Sequence, residues 1–322
     1  MRVLITGATG FLGLNLAELL VDNGYEVIGI SRGLRNLGLE RLKKLGVNHV
    51  KLDLTKEKPE LKGVDAVIHL ASPHPFKGAS KGRRAHLLIA RNLVEAMRKQ
   101  SIDRIIFTSV ASVTCREGIV DESTEPTPCI EHAMYKLEVE RLLLNEMNRG
   151  LYPTILRPTV MYGPWQIGDG LHLLFRAISR GALWTRLKIR DLGYIQPVYV
   201  KDVCLAILNA LKNDKTIGKT YFIAEDKAYS FEEFQTIIYN ALGKSPPRTS
   251  VSRSIANLFI PFSRILDPFN PFLQKDLLKM LSHKTTYSIK SAKKDLSFKP
   301  LPLEKGIKMT LSWYISFNPN LL

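Results

Sequence analysis

A strand, a tight turn and the start of a helix follow one another within the first thirteen residues. Residues 3–6 form an apolar run rich in β-branched side chains, and three glycines follow with the spacing G-x-x-G-x-x-G. The first glycine of such a series permits the turn, the second lets the backbone approach a pyrophosphate, and the third lets the helix pack closely. The helix, predicted over residues 11–23, would direct its free N–H groups at the phosphates. The pattern predicts a dinucleotide site lined by Gly7, Gly10, Phe11, Leu12 and Gly13.

Apolar strands alternate with amphipathic helices through the first half of the chain. The later strands are predicted over residues 25–31, 49–54, 66–71, 104–109 and 154–158. Helices are predicted near residues 37–45, 79–99 and 131–148. Strands that are apolar along their length and alternate with helices indicate a parallel sheet covered on both faces. The sequence therefore predicts an α/β fold of the Rossmann type, with a doubly wound parallel sheet.

The alternation loosens after Gly163-Pro164. Residues 1–165 are predicted to form the nucleotide-binding domain, with parts of 194–224 completing its sheet, and residues 166–322 to form mainly a smaller mixed substrate lobe. The helices predicted in this lobe are 171–180, 203–211, 231–242, 275–281 and 303–313, and its strands are 194–200 and 220–224. We interpret the apolar stretch 251–266 as core packing, with a substrate lid or a membrane-resting surface as alternatives.

Composition excludes several classes of protein. The 322 residues, 45% of them hydrophobic, suffice for a substantial core, and no apolar run reaches the roughly 18 residues of a membrane span. Because the first strand begins near residue 2, we expect no leader peptide and a cytoplasmic location. Cys115, Cys129 and Cys204 are odd in number and lack metal-ligand spacing, so we expect reduced thiols and no metal site.

The net charge of +16 is the one unusual bulk property, and it is typical of binding to nucleic acid, anionic membranes or phosphorylated ligands. The basic residues are spread over 32–62, 77–104, 176–190 and 275–308, with no block of five in a row. This distribution favours a generally basic surface, so nucleic acid is not expected as a partner. Peripheral membrane contact and a homodimer are both left open.

Several further motifs occur in an order known from one family. They are Asp53-Leu54, His69-Leu70-Ala71, Lys136-Leu137-Glu138-x-Glu140-Arg141, Arg157-Pro158-x-x-x-Tyr162-Gly163-Pro164 and Tyr199-Val200-x-Asp202-Val203. Together with the glycine series, they resemble the extended short-chain dehydrogenases/reductases, which include sugar-nucleotide epimerases, dihydroflavonol reductases and 3β-hydroxysteroid dehydrogenases. Segments 107–114, 294–300 and 310–314 look most like the steroid dehydrogenase branch and its bacterial β-keto acid reductase relatives.

The resemblance implies where a nicotinamide cofactor would lie. Asp53 and Leu54 would flank the adenine, and Leu70 and Ala71 would pass the ribose and the pyrophosphate. Lys136 would hold the hydroxyls of the nicotinamide ribose. The substrate would be a small molecule bound by the C-terminal lobe.

The end of the second strand bears on the choice of cofactor. NAD enzymes usually place an acid there to accept from the ribose 2′-hydroxyl, whereas this chain has Ser31-Arg32, with Arg35 nearby. An acid would repel a 2′-phosphate and arginine attracts it. The sequence therefore favours NADP(H), with NAD(H) as the alternative.

The chain departs from its family at the proton-handling residues. The family carries Tyr-x-x-x-Lys, which places both side chains on one helix face, so that the ammonium lowers the pKa of the phenol. Four residues before Lys136 stands His132, and Tyr135 is adjacent to Lys136 and so faces another way. The third catalytic group of the family is a Ser or Thr hydroxyl, and this chain has Val110 at that position.

We predict that His132 replaces the tyrosine as proton donor or acceptor, titrating between about pH 5 and 8, with its pKa lowered by Lys136. The alternative is a residue at the start of a helix without chemical role. Ser109 is the candidate for the catalytic hydroxyl, with Ser112 also beside the vacant position.

The sequence thus predicts an NAD(P)-dependent oxidoreductase that interconverts a hydroxyl and a ketone on a hydrophobic, steroid-like or keto acid-like molecule. One alternative is a cofactor-binding structural or regulatory protein with a degenerate site, whose charge would suit an acidic partner or RNA. A second alternative is a sugar-nucleotide epimerase or dehydratase.

Overall fold

The computed structural model describes residues 1–72, 79–252 and 283–322. The strands in chain order are β1 (Arg2–Thr6), β2 (Glu26–Ser31), β3 (Asn48–Lys51), β4 (Ala66–His69), β5 (Arg104–Thr108), β6 (Gly118–Val120), β7 (Tyr152–Pro158), β8 (Met161–Tyr162), β9 (Lys188–Arg190), β10 (Tyr194–Ile195), β11 (Val198–Tyr199), β12 (Thr220–Ile223), β13 (Tyr229–Ser230), β14 (Ser250–Ser252) and β15 (Thr285–Tyr287). The α-helices are α1 (Phe11–Asp22), α2 (Asn36–Lys44), α3 (Ala79–Lys99), α4 (Glu131–Asn145), α5 (Gly170–Ser179), α6 (Val200–Leu211), α7 (Phe231–Ala241), α8 (Lys290–Leu296) and α9 (Leu303–Phe317). Among the described residues, every helix is too short or too polar to cross a bilayer.

Seven strands form one parallel sheet in the order β12-β7-β5-β4-β1-β2-β3. The order runs outward in both directions from the neighbouring strands β1 and β4. In such a sheet the crevice outside the carboxyl ends of these two strands is where ligands bind. The doubly wound parallel sheet predicted from the sequence is therefore confirmed.

Alternate side chains of the central strands enter two different cores, as the pleat requires. Val3 and Ile5 of β1 pack with α1, α6 and α8 on one face, whereas Leu4 packs with α3 and α4 on the other. A third core joins α5, α7 and α9 in the C-terminal lobe. The continuous apolar character of the strands follows from this burial on both faces.

One of the two strands predicted in the second half is divided, and the other is present. The strand predicted over 194–200 is divided into β10 and β11 around Pro197, and α6 already begins at Val200. Proline cannot donate to a strand ladder, which accounts for the division. The strand predicted over 220–224 is β12, which extends the main sheet beside β7. The helix predicted at 275–281 and most of the apolar stretch 251–266 lie outside the described residues.

Two cysteines are joined, so the expectation of reduced thiols is wrong for them. Cys115 and Cys129 form a disulfide across 14 positions, with their Cα atoms 5.7 Å apart. The Cys115 N–H donates to Thr127 O at 3.0 Å, which aligns the segment after β5 with the segment before α4. The third cysteine, Cys204, is free and buried.

We predict that Cys115→Ser lowers the free energy of unfolding by about 3 kcal/mol, because a disulfide closing a loop of about 15 residues restricts the unfolded chain. Urea denaturation with and without reductant measures this. Reductant should bring the wild type to the value of the variant and leave the variant unchanged. Thiol titration of the denatured, unreduced wild type should find one thiol, and finding three would refute the pairing.

Candidate active site

The glycine series forms a turn packed against three neighbouring segments. The Gly7 N–H donates to Ile30 O of β2 at 2.8 Å, and the Gly10 N–H donates to Gly7 O at 2.9 Å. Gly7 has φ +73°, and a Cβ atom there would lie 3.0 Å from the Ala71 backbone. A Cβ atom on Gly13 would lie 2.4 Å from Gly7 O, so only glycine lets α1 approach this closely.

The start of α1 can accept a diphosphate. Gly10 is the N-cap of α1 and provides no side-chain hydrogen bond to it. The first N–H groups of a helix have no partner within the helix, and here they belong to Phe11, Leu12 and Gly13. Anions bind such a terminus through these donors and the helix dipole. The backbone donors without a partner in the helix and the glycine cradle fit the dinucleotide predicted from the sequence.

Thr6 connects the ends of β1 and β4 beside the turn. Its Oγ1 accepts from the N–H groups of Leu70 and Ala71, at 3.2 and 3.1 Å. With both lone pairs used, the hydroxyl donates to His69 Nδ1 at 2.9 Å, so His69 carries its ring proton on Nε2. Leu70 and Ala71, which are predicted to lie along the ribose and the pyrophosphate, are thereby held next to the glycine turn.

The end of β2 lies at the same edge of the sheet. Ser31 Oγ accepts from the Gly33 N–H at 3.1 Å and lies 2.8 Å from His49 Nε2. Arg32 is exposed beside this group. Arg35, also exposed, is paired with Asp169 of the C-terminal lobe at 3.4 Å.

Asp53 and Leu54 follow β3 and have clear structural roles. Asp53 Oδ1 accepts from both the N–H and the hydroxyl of Thr55, at 3.0 and 2.7 Å. These hydrogen bonds from Thr55, with a smaller contribution from the Arg32 charge, lower the pKa of the Asp53 carboxyl. The Leu54 side chain is buried in the core under α3. Both residues lie at the edge where the adenine is predicted, and their side chains shape the turn there.

His132 and Lys136, which occupy the positions of the family's Tyr and Lys, lie on helix α4. Lys136 is buried, donates to Thr108 O at 2.8 Å, and its Nζ lies 4.8 Å from the centre of the Phe107 ring. Burial lowers the pKa of Lys136 to about 8, against the opposing effect of Glu140. Glu140 itself is bound by two hydrogen bonds from Arg157 of β7, at 3.1 and 2.7 Å.

His132 lies one turn before Lys136 and on the wall of a cavity. Burial, and then the charge of Lys136, lower the pKa of His132 to about 3. The sequence predicted that Lys136 lowers the pKa of His132. The prediction that His132 titrates between pH 5 and 8 is wrong, because burial lowers its pKa by more than Lys136 does. The Tyr135 hydroxyl donates to Glu131 at 3.4 Å, so it serves the start of the helix.

The hydroxyls after β5 divide between the cavity and the interior. Ser112 and Val110 line the cavity, whereas Ser109 is buried behind it. Within the part of the chain that the structure describes, the hydroxyl oxygens of Thr108 and Ser109 have no hydrogen-bond partner. Neither residue lies on the described wall of the cavity.

The cavity has a volume of about 210 Å³ and lies between the start of α4 and the C-terminal lobe. Its described wall contains no Lys, Arg, Asp or Glu side chain. The lobe residues on this wall are Leu171, Leu174, Tyr194, Ile195, Gln196, Phe231, His283, Thr285 and Tyr287. Sequence reasoning did not find them because no motif marks them and they converge from separate segments.

A second residue that sequence reasoning missed is His86 of α3. It is buried, and the centre of its ring lies 5.3 Å from that of His132. Its place depends on how α3 packs on α4, which no local pattern encodes.

Comparison with known proteins identifies the family. The sequence model of the NAD dependent epimerase/dehydratase family matches residues 3–224. The chain therefore belongs to this family, which confirms the resemblance drawn from its motifs. A Bacillus subtilis protein described as an uncharacterized UDP-glucose epimerase, YtcB, is 35% identical over 76% of this chain and 83% of its own.

Two further relatives are named as enzymes of other substrates. The 2-alkyl-3-oxoalkanoate reductase of Shewanella oneidensis is 28% identical over 94% of this chain and 84% of its own. The 3 beta-hydroxysteroid dehydrogenase/Delta 5-->4-isomerase of Mycobacterium tuberculosis is 23% identical over 98% of this chain and 90% of its own. The family and these relatives are enzymes, and the class is that of NAD-dependent oxidoreductases and epimerases.

A solved structure confirms the fold. The UDP-glucuronic acid 4-epimerase of Bacillus cereus, in complex with NAD, superposes with a TM-score of 0.79 at 22% identity. The match covers 98% of this chain and 99% of that one.

We predict that Gly10→Val abolishes most of the affinity for nicotinamide dinucleotides while the protein stays folded. A Cβ atom at Gly10 would lie 3.1 Å from Gly7 O, and the branched side chain would occupy the approach to the diphosphate. Fluorescence titration with NADPH and NADH, together with thermal unfolding, measures both properties. Leu205→Val is the control, since it also introduces a valine, at an exposed position of α6. Equal affinities in the folded Gly10→Val variant and the wild type would remove the dinucleotide site.

Proposed function

We propose that the chain is an NADP(H)-preferring oxidoreductase that interconverts a hydroxyl and a ketone on a hydrophobic small molecule, steroid-like or keto acid-like. The observation that carries this proposal is the cavity without charged side chains in its described wall, which includes His132 one turn before the buried Lys136. The names of the Shewanella and Mycobacterium relatives support the same substrate class.

Each part of the site has a role in this reaction. A bound nicotinamide supplies or accepts the hydride. The glycine turn and the first turn of α1 hold the diphosphate, and Lys136, fixed by Thr108 O, donates to the ribose hydroxyls. In reduction the His132 N–H donates a hydrogen bond to the ketone oxygen, and the proton that the new hydroxyl gains is released by the Lys136 ammonium. In oxidation the neutral Lys136 amine takes that proton back, while the same His132 N–H stays hydrogen-bonded to the oxygen.

A neutral imidazole is a weaker acid than the family's activated phenol. A positioned acid contributes about 10²- to 10⁴-fold in rate, which corresponds to about 3 to 5.5 kcal/mol of barrier. We therefore propose slow but measurable hydride transfer. The Lys136 ammonium offsets part of the loss, because it stabilises negative charge that develops on the substrate oxygen.

The preference for NADP(H) rests on the end of β2. Ser31 Oγ, with the Gly33 N–H and His49 Nε2 around it, offers polar atoms where a ribose 2′-substituent would lie. Arg32 is exposed, and Lys51 passes alongside Gly33. Two cations at this point favour a 2′-phosphate, and no acid occupies the usual position.

A sugar-nucleotide epimerase or dehydratase is the second candidate, and the Bacillus subtilis relative favours it. A nucleoside diphosphate sugar needs cationic partners for its phosphates. The described wall of the cavity offers none, which favours the hydrophobic substrate. Purified protein that carries tightly bound NAD and acts on a nucleotide sugar would reverse this choice.

Several further properties remain part of the proposal. We propose a boundary near residue 165 between the nucleotide-binding domain and the substrate lobe, and a cytoplasmic location. We also propose that nucleic acid is not a partner. Light scattering tests the homodimer, and flotation with anionic vesicles tests the peripheral membrane contact, both of which the sequence left open.

We predict that Arg32→Glu weakens the binding of NADPH by about 1 to 3 kcal/mol and the binding of NADH much less, because one charge-assisted contact to the 2′-phosphate is lost. Titration with both cofactors measures the difference. Arg91→Glu on α3 is the control, since it is also exposed and changes the net charge equally. Equal losses for NADPH and NADH would show that Arg32 does not bind the 2′-phosphate.

We predict that His132→Ala removes most ketone-dependent NADPH oxidation, that His132→Tyr with Val110→Ser raises it, and that Tyr135→Phe leaves it unchanged. The wild-type rate should fall as pH rises through about 8, where Lys136 loses its proton. Between pH 5 and 7 the rate should show no histidine titration, because the pKa of His132 is about 3. Tight cofactor binding without activity on any carbonyl, in wild type and His132→Ala alike, would instead support the non-enzymatic alternative.

A further inference from the structure

Three imidazoles and one ammonium meet behind the wall of the cavity. His132 and Lys136 come from α4, His86 from α3, and His69 from the end of β4. The rings of His86 and His132 meet edge to face, with their centres 5.3 Å apart and their planes at 60°. Burial and then the charge of Lys136 lower the pKa of His86.

The three imidazoles and the ammonium carry one positive charge between them. Glu140, the carboxylate that acts on Lys136, is occupied by Arg157. Burial, followed by the Lys136 ammonium, lowers the pKa of His86 to about 2 and that of His132 to about 3. Lys136 therefore holds the proton, and the imidazoles are neutral at physiological pH.

Neutrality gives His132 a requirement that a tyrosine does not have. A phenol donates and accepts through the same oxygen atom, whereas a neutral imidazole donates from one nitrogen and accepts at the other. Only one tautomer presents the N–H to a substrate in the cavity. A neighbouring group must select it, as the orienting third group does in catalytic triads.

Among the described residues, three other polar side chains of this region are hydrogen-bonded to groups other than His132. His69 Nδ1 accepts from Thr6, and Lys136 donates to Thr108 O. The Tyr135 hydroxyl reaches Glu131. His86 is in ring contact with His132, and its Nε2 lies 3.4 Å from Ser72 Oγ, which orients it.

We propose that His86 is a positioning residue for His132: it holds the ring against α3 and selects the tautomer that faces the cavity. The inference rests on the proposed function, in which the His132 N–H donates to the substrate oxygen. It assigns to α3 a part in the reaction that the sequence motifs did not indicate.

The first test compares His86→Phe and His86→Gln with Tyr135→Phe, whose ring also contacts His86, at 5.9 Å between centres. His86→Phe keeps a ring and removes both nitrogens, and His86→Gln keeps a hydrogen-bonding group. We expect His86→Phe to lower kcat by about 10- to 100-fold, with KM and NADPH affinity unchanged. His86→Gln should recover part of this loss, and Tyr135→Phe should show none.

A double-mutant cycle separates positioning from a general structural effect. In a His132→Tyr background the phenol has no tautomer to select, so adding His86→Phe should change kcat less than twofold. An equal loss in both backgrounds would overturn the proposal.

Nitrogen-15 NMR of the histidine rings provides a readout that does not depend on activity. Wild-type His132 should be one neutral tautomer from pH 5 to 9, and His86→Phe should convert it into a mixture. If His132 keeps the same single tautomer in His86→Phe, the inference is overturned. If neither His86 variant folds, a mixture of His132 tautomers in the wild type would overturn it. A wild type that shows one tautomer but reduces no carbonyl would refute the proposed function and leave the pairing of the rings intact.

Discussion

The ion pair between Glu140 and Arg157 determines the electrostatics of the whole site. Both side chains are buried, and the guanidinium makes two parallel hydrogen bonds to the carboxylate. This pair joins α4 to β7, and removing one partner of such a buried pair costs about 3 to 5 kcal/mol. Glu140 also raises the pKa of Lys136, one turn earlier on the same helix, although Arg157 engages its carboxylate. The Lys136 ammonium is buried with a carbonyl oxygen and an aromatic ring as its neighbours.

The Lys136 ammonium lowers the pKa of the three histidines around it. Because Lys136 is charged and the surroundings are dry, adding a second proton to His69, His86 or His132 would require a further buried charge. The pKa of each is lowered to about 2 or 3 for this reason, with desolvation the larger cause. A change of tyrosine to histidine in this family thus exchanges an ionisable acid for a neutral hydrogen-bonding group. The orientation of that group then matters more than its pKa.

Local patterns predicted the parts of the site that depend on local geometry. The glycine series and the four-residue spacing of His132 and Lys136 encode a turn and a shared helix face, and the structure has both. The pairing of Cys115 with Cys129 needs two segments aligned across the end of the sheet. The contact of His86 with His132 needs the register of α3 against α4. Such contacts join segments far apart in the chain, and a single sequence carries no signal for them.

The cavity wall and the buried Lys136 ammonium would act together in the proposed reaction. The described wall contains no charged side chain, so its residues would screen little of the field that Lys136 exerts on a substrate oxygen. In bulk water the same charge would contribute much less to stabilising an alkoxide. A neutral imidazole can therefore suffice as the hydrogen-bond donor, because the charge stabilisation comes from the lysine behind it. This division of roles works only while the substrate is apolar enough to keep water out, which links the loss of the phenol to the hydrophobic character of the cavity.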